Sequence, residues 1–267
     1  MTYTILGQCS ETGRLGYAIA TVSLNVGSVC PAISRSGDLV VSQAFTNRIL
    51  KAEGARKLDE GIGADALMAH FASIDPHFAY RQVGILRRSG ELAAHSGEAC
   101  HDWKGHHTGA GWIAMGNVLA GEQVVAAMGE RFEATSAEPL AERLMQALEA
   151  GRDAGGQTDG DDRHYTERST RVATYGWDEE GYPELTEVDV RVDVHETAIA
   201  ELRRQFDIIA PLTPFQHMKS ENPATLMSPD QWEDLHLPAR PPRHDRPPQL
   251  GHRRARAGDP PPAGEDG

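Results

Sequence analysis

The chain reads as an α+β layered domain, and three features of its pattern carry that reading. Short apolar strands come early and close together, joined by turn sequences; amphipathic helices follow; strands then return. Regular βαβ alternation, the mark of a parallel sheet with crossover helices, is absent. No repeat at solenoid periods is visible.

The elements follow in chain order. Tyr3 to Gln8 reads as a strand, Glu11-Thr12-Gly13-Arg14 as a turn, and Gly16 to Val22 as the returning arm of a hairpin. Leu39 to Ala44 is a third apolar strand. Ile62, Leu67, His70, Phe71 and Ile74 recur at helical spacing and stop before Pro76. Val83 to Leu86 and Leu92 to His95 flank Arg88-Ser89-Gly90, a second hairpin, and Trp112 to Met115 is a further short strand. Val124, Val125, Met128 and Phe132 make one helical apolar face; Leu140, Leu144 and Leu148 make another at i, i+4, i+8. Gly151 to Arg163 is rich in Gly and Asp and reads as a loop. Arg171 to Tyr175 and the alternating Val188, Val190, Val192 read as strands, and Ile199, Leu202 and Phe206 as a closing helix.

Three segments are expected: a domain over 1–210, a C-terminal extension over 211–236, and a disordered tail over 237–267. The tail holds eight of the sixteen prolines and only two leucines, too little apolar surface to offset ordering entropy. Its six arginines against four acids give +2, so −15 of the formal −13 falls on residues 1–236. The run Arg253-Arg254-Ala255-Arg256 reads as solvated charge.

An acidic chain of this kind is a poor partner for nucleic acid, whose binding rests on Lys and Arg neutralising phosphates. Cys9, Cys30 and Cys100 are odd in number and lack C-x-x-C spacing, which fits a reducing compartment. No secretory signal is evident, and no apolar run approaches the roughly 20 residues needed to span a bilayer. A soluble, cytoplasmic protein is expected.

Several residues bear chemistry. Thr2 stands behind Met1, which is normally trimmed before a small residue. The exposed threonine would then have its own α-amine as base, one of the recognised ways to activate a weak nucleophile. Taken alone, Thr2 reads first as an ordinary strand residue. Cys100-His101-Asp102-Trp103-Lys104-Gly105-His106-His107 holds zinc-competent side chains, but its spacing matches no ligand frame, and it reads as a loop with partly exposed histidines. Gly116-Asn117, between a strand and a helix, has the local setting of an oxyanion hole but reads first as a turn. Gln43, Asn47 and Arg81 lie at strand ends, where ligand contacts arise. His95, inside an alternating strand, reads first as structural. The glycine-rich stretches match neither the P-loop nor the dinucleotide fingerprint, so no cofactor is expected.

Set in order, these pieces resemble a known family. They are Thr2-Tyr3-Thr4-Ile5, then Glu11-Thr12-Gly13-Arg14-Leu15-Gly16, then Val26-Gly27-Ser28-Val29-Cys30-Pro31, and Val40-Val41-Ser42-Gln43-Ala44-Phe45-Thr46-Asn47. After a helix come Arg81-Gln82-Val83-Gly84-Ile85, the segment Ser96 to His106, Met115-Gly116-Asn117-Val118-Leu119-Ala120-Gly121, Pro139 to Leu144, and Ala154-Gly155-Gly156. Over about residues 1–210 the chain resembles the bacterial domain-of-unknown-function family number 1028, grouped with the N-terminal-nucleophile hydrolases. The resemblance implies a four-layer α-β-β-α sandwich of two antiparallel sheets. It also implies an amide-type hydrolase of small molecules, with Thr2 as nucleophile and base and Asn117 as oxyanion donor. Gln43, Asn47, Arg81 and His95 are carried as substrate-binding candidates, with no metal. The expected partner is a small-molecule substrate, with no nucleic acid and no membrane, and a homodimer is carried as the assembly.

One departure stands out. The family follows its double glycine with Asp and a basic segment leading to a Gln-Ser-Ala strand. Here Gly155-Gly156 leads to Gln157 and a longer, acidic stretch, with Arg168-Ser169 where the strand would begin. Two other functions stay open: a non-catalytic member that binds a small metabolite, and a metal-dependent hydrolase using Cys100, His101 and His106.

Overall fold

The computed structural model describes residues 1–158, 163–177 and 183–237. The expected tail therefore lies outside the described residues from 238 onward. The first half contains β1 (Thr2–Gln8), β2 (Leu15–Thr21), α1 (Val26–Val29), β3 (Pro31–Ile33), β4 (Leu39–Ala44), α2 (Arg48–Asp59) and α3 (Ala64–Ile74). Then come β5 (Arg81–Leu86), β6 (Leu92–Ser96), β7 (Lys104–Gly109), β8 (Trp112–Asn117), α4 (Glu122–Ala134) and α5 (Leu140–Asp153). The rest is β9 (Gln157–Thr158), β10 (His164–Tyr165), β11 (Ser169–Trp177), β12 (Pro183–Val192), α6 (Ala198–Ile209), α7 (Thr213–Glu221) and α8 (Pro229–His236).

The expected α+β class holds. Six strands form one antiparallel sheet in the order β12-β11-β2-β1-β8-β7, four form a second in the order β3-β4-β5-β6, and β9 pairs with β10. The period-two alternation of β1 divides its side chains between two environments. Tyr3 and Ile5 join a core with Leu144 and Leu148 of α5, Met128 and Phe132 of α4, and Leu202 and Phe206 of α6. Leu6, on the opposite face, joins a core that mixes the two sheets, with Tyr17, Ile19, Leu39, Val41 and Met115. A third core sets Val40, Val83 and Ile85 of the smaller sheet against Leu50 and Leu58 of α2 and Leu67 and Phe71 of α3. Gly7 makes the first core possible at close range, because a Cβ there would lie 2.4 Å from the Phe132 ring.

Several expectations need correction. The segment read as a loop at Cys100–His107 contains β7, which pairs residue by residue with β8 from Lys104↔Asn117 to Gly109↔Trp112. As the edge of its sheet it borrows a ladder from one apolar neighbour, so it carries no apolar alternation of its own. Helix α2 goes unannounced because its mostly polar sequence buries only Leu50, Gly54 and Leu58, one residue per turn. The loop read from Gly151 begins later, since α5 runs to Asp153 and Gln157–Thr158 then pairs with His164–Tyr165. Residues 159–162 lie outside the described set.

The chain divides into two compact units, Met1–Leu226 and Met227–Gly267. In the described part of the second, α8 is started by a capping box in which Ser228 and Gln231 bond each other's backbone amides. Among the described residues no helix is long and apolar enough to cross a membrane.

Candidate active site

Thr2 opens β1 and stands opposite Asn117, the last residue of β8, in an unbroken antiparallel register. The pairing joins residues that are far apart in sequence at one end of the larger sheet. Both are buried, Thr2 6 % and Asn117 2 % exposed. Thr4 reaches across to Gln43 on the other sheet, so by alternation Thr2 also faces the space between the sheets.

A chain of buried amides fills that space. Thr4 Oγ1 donates to Gln43 Oε1 at 2.6 Å, and Gln43 Nε2 donates to Gln82 Oε1 at 2.7 Å. Asn117 Nδ2 donates to the same Gln82 oxygen at 3.0 Å and, more weakly, to the Thr2 carbonyl at 3.4 Å. Gln82 Nε2 lies 2.7 Å from Ser96 Oγ, 2.8 Å from the Gly116 carbonyl and 3.0 Å from the Gly105 carbonyl. Ser96 Oγ in turn lies 3.0 Å from His106 Nδ1. Three fully buried amides tolerate that position because each finds partners. Their common effect is to hold the Asn117 amide at Thr2.

The Thr2 hydroxyl donates to the Met1 carbonyl at 2.5 Å and lies 3.3 Å from Thr21 Oγ1; Thr21 Oγ1 donates to that same carbonyl. Burial pushes the Met1 α-amine below its ordinary value, and the nearby Cys30 and Cys100 thiols oppose that. Burial raises both thiols, so neither is poised as a nucleophile. On the other side of β1, Tyr3 OH donates to Glu167 Oε1 at 2.8 Å, and Gln157 Nε2 reaches the same oxygen at 3.4 Å. Gln157 Oε1 accepts from the Val22 amide at 3.2 Å. The residue that departs from the family pattern is thus buried and tied to the end of β2. Strand β11 begins at Ser169.

The other candidates sit in different settings. Gln43 is fully buried within the amide chain. Asn47 caps α2 through the Ile49 amide and donates to Asp75 Oδ2 at 2.9 Å. Arg81 Nε donates to the same carboxylate at 2.9 Å, and its Nη1 donates to the Phe45 carbonyl. His95 stacks on Phe78 with ring centres 4.1 Å apart, and burial lowers its pKa. Cys100, His101 and His106 do not converge: the Cys100 thiol is buried, the His101 ring lies against Phe45, and His106 bonds Ser96. Among the described residues, no three His, Cys, Asp or Glu side chains gather as metal ligands.

Sequence reasoning named Gln82 only as a neighbour of Arg81, met Gln157 only as a departure from the family pattern, and assigned no role to Thr21 or Ser96. The signal for Gln82 was present: Gln43 and Gln82, register partners in the fold, each stand in a strand that is mostly apolar. A further sign lies in the backbone. Among the described residues three non-glycines have positive φ, and two of them, Ala44 (71°) and Val118 (57°), directly follow Gln43 and Asn117. Strain of this kind, costing about 1–3 kcal/mol per residue, gathers at ligand clamps and active sites. A cavity of about 720 Å³ lies near the opposite end of β1, lined by Cys9, Arg14, Leu140 and Phe206 among others.

No curated protein matches the chain. The crystal structure of protein SPO2555 from Silicibacter pomeroyi is 29 % identical, with a TM-score of 0.67 over 82 % of this chain and 86 % of that one. That protein is itself assigned to the family of unknown function DUF1028. The model of the same family matches residues 2–202 here, a span that contains β1, the amide chain, Asn117 and Gln157, and the chain therefore belongs to the family of unknown function DUF1028.

Proposed function

We propose that this protein is a small-molecule amide hydrolase in which Thr2, freed by removal of Met1, is the nucleophile. The observation that carries the reading is the pairing of Thr2 with a buried, pre-aligned Asn117 at the head of β1. In the same reading the three cores correspond to helices, sheet, sheet, helices: the four-layer sandwich of the N-terminal-nucleophile hydrolases.

With Met1 gone, the nitrogen of the former Met1–Thr2 peptide becomes the α-amine of Thr2. Its setting at the buried strand head favours the neutral, basic form. Thr2 Oγ attacks the substrate carbonyl while the amine takes the hydroxyl proton. The Asn117 N–H that now makes only the long 3.4 Å contact to the Thr2 carbonyl is the donor available to the developing oxyanion. Collapse breaks the C–N bond, and the leaving amine takes the proton from the Thr2 amine. Water, deprotonated by the same amine, then cleaves the acyl ester and restores the hydroxyl.

A second reading has its own support. While Met1 remains, the Thr2 and Thr21 hydroxyls both donate to its carbonyl, and the nitrogen of Thr2 is held in a peptide bond. A chain that keeps Met1 would be a non-catalytic binder of a small metabolite. Intact-mass spectrometry of the purified protein separates the two, with loss of methionine expected. Once a substrate is found in a screen of small amides and ureido acids, Thr2→Ala should abolish turnover and Thr2→Ser should retain part of it. A folded, Met1-free Thr2→Ala protein with unchanged turnover would sink the nucleophile.

A further inference from the structure

We propose that Phe45, Tyr80 and His101 form a platform at the mouth of the Thr2 site, and that the substrate carries a planar aromatic group beside its scissile carbonyl. The inference rests on the reading of Thr2 as nucleophile.

Placement comes first. Thr4 meets Gln43, and the Leu6 side chain would lie 3.3 Å from a Cβ on Gly84, the register partner of Val41. Moving along β1 from Leu6 to Thr4 therefore moves along β4 from Val41 to Gln43, so Thr2 lies toward the end where β4 stops at Ala44 and Phe45 follows. His101 reaches the same end by another route, its carbonyl accepting from the Val118 amide just past Asn117. Tyr80 arrives by a third, immediately before Arg81, whose strand partner is Ala44.

Exposure comes next. Phe45 and Tyr80 are 46 % and 45 % exposed, yet they are not isolated: their rings meet edge-on, centres 5.5 Å apart at 88°. His101 lies 5.4 Å from Phe45 at 40°. The backbone beneath them is held. Arg81 donates to the Phe45 carbonyl while Asp75 grips Arg81, and Ala44 adopts its strained φ immediately before Phe45. A large ring kept half in water on a clamped, strained segment is arranged for a ligand. Two half-exposed rings offer on the order of 200 Å². That suits one aromatic group and falls well short of the roughly 800 Å² per partner that a stable protein interface buries.

The test uses the full-length, Met1-free protein and two β-lactones, one bearing a phenylmethyl group beside the carbonyl and one a methyl. Thr2 Oγ forms the ester bond, the ring C–O bond breaks, and the hydroxyl proton passes through the α-amine to the released alkoxide. The adduct gains the whole mass of the lactone. Acylation of Thr2 by the methyl lactone, mapped by peptide mass spectrometry, tests the nucleophile by itself. The phenylmethyl lactone should react about five- to tenfold faster, and Phe45→Ala should erase most of that ratio while circular dichroism stays unchanged. No preference in the parent protein, or a preference that survives Phe45→Ala, overturns the platform alone. So does a dimer, seen by ultracentrifugation, that Phe45→Ala dissociates. Failure of both lactones to acylate Thr2 overturns the nucleophile and the platform with it.

Discussion

In the proposed reading Asn117 is a site residue and a structural residue at once. Its amide holds Gln82 and the Thr2 carbonyl, and it is almost fully buried. The turn that the sequence also allowed would leave Asn117 removable, whereas the fold seals it between the sheets. Asn117→Ala should cost about 1–3 kcal/mol in denaturant unfolding, because the partners it leaves are sealed from water. In the proposed reaction it should also lower turnover, or Thr2 acylation, on the order of a hundredfold, the effect of deleting one oxyanion donor. A loss of stability with full acylation would leave Asn117 purely structural. Thr2 could be named from the sequence because the role proposed for it follows from its place beside Met1 together with the family resemblance. Gln82 was harder to read, since its use depends on partners from four other strands that only the folded sheets assemble.

At the scale of elements, Asp75 ties three together. It closes α3, accepts from Asn47 at the start of α2, and accepts from Arg81 at the start of β5. Burial alone would raise its pKa. The hydrogen bonds from Arg81, Asn47 and the His77 amide prevail and hold it at about 2. Because this folded value lies below the ordinary 3.8, the carboxylate's stabilisation is fully present above pH 4 and is lost as pH falls toward 2. Asp75→Asn should therefore unfold about 2 kcal/mol more easily than the parent at pH 7. The gap should close between pH 4 and 2, as followed by denaturant melts across that range. A constant gap would assign the loss to packing. The elements themselves were legible where apolar residues recur, as in β1, β4, β5, α4 and α5. They were not where burial is supplied by a neighbour: β7 borrows the ladder of β8, and α2 presents one buried residue per turn.

For the compact unit Met1–Leu226, the consequence of the architecture is shared burial. The strands of the larger sheet serve the first core with one face and the second with the other, and the strands of the smaller sheet do the same for the second and third. Alternation announced that each strand has two faces, but which sheet would lie against which is a matter of contacts distant in sequence, and the layering came from the family resemblance. Shared strands predict shared fate. Leu148 in the first core, Leu6 in the second and Leu67 in the third are all fully buried. Each changed to Ala should cost about 2–5 kcal/mol through lost transfer energy and the cavity left behind. Because no core can lose its sheet without exposing the next, all three variants should shift one common unfolding transition. Far-UV circular dichroism reports both sheets, whereas fluorescence reports the first core once Trp103, Trp177 and Trp232 are changed to Phe and Trp112 alone remains, so in that background the two melts should coincide in every variant. A Leu67→Ala protein whose dichroism falls in two steps while Trp112 keeps its parent midpoint would show that α2, α3 and the smaller sheet unfold alone.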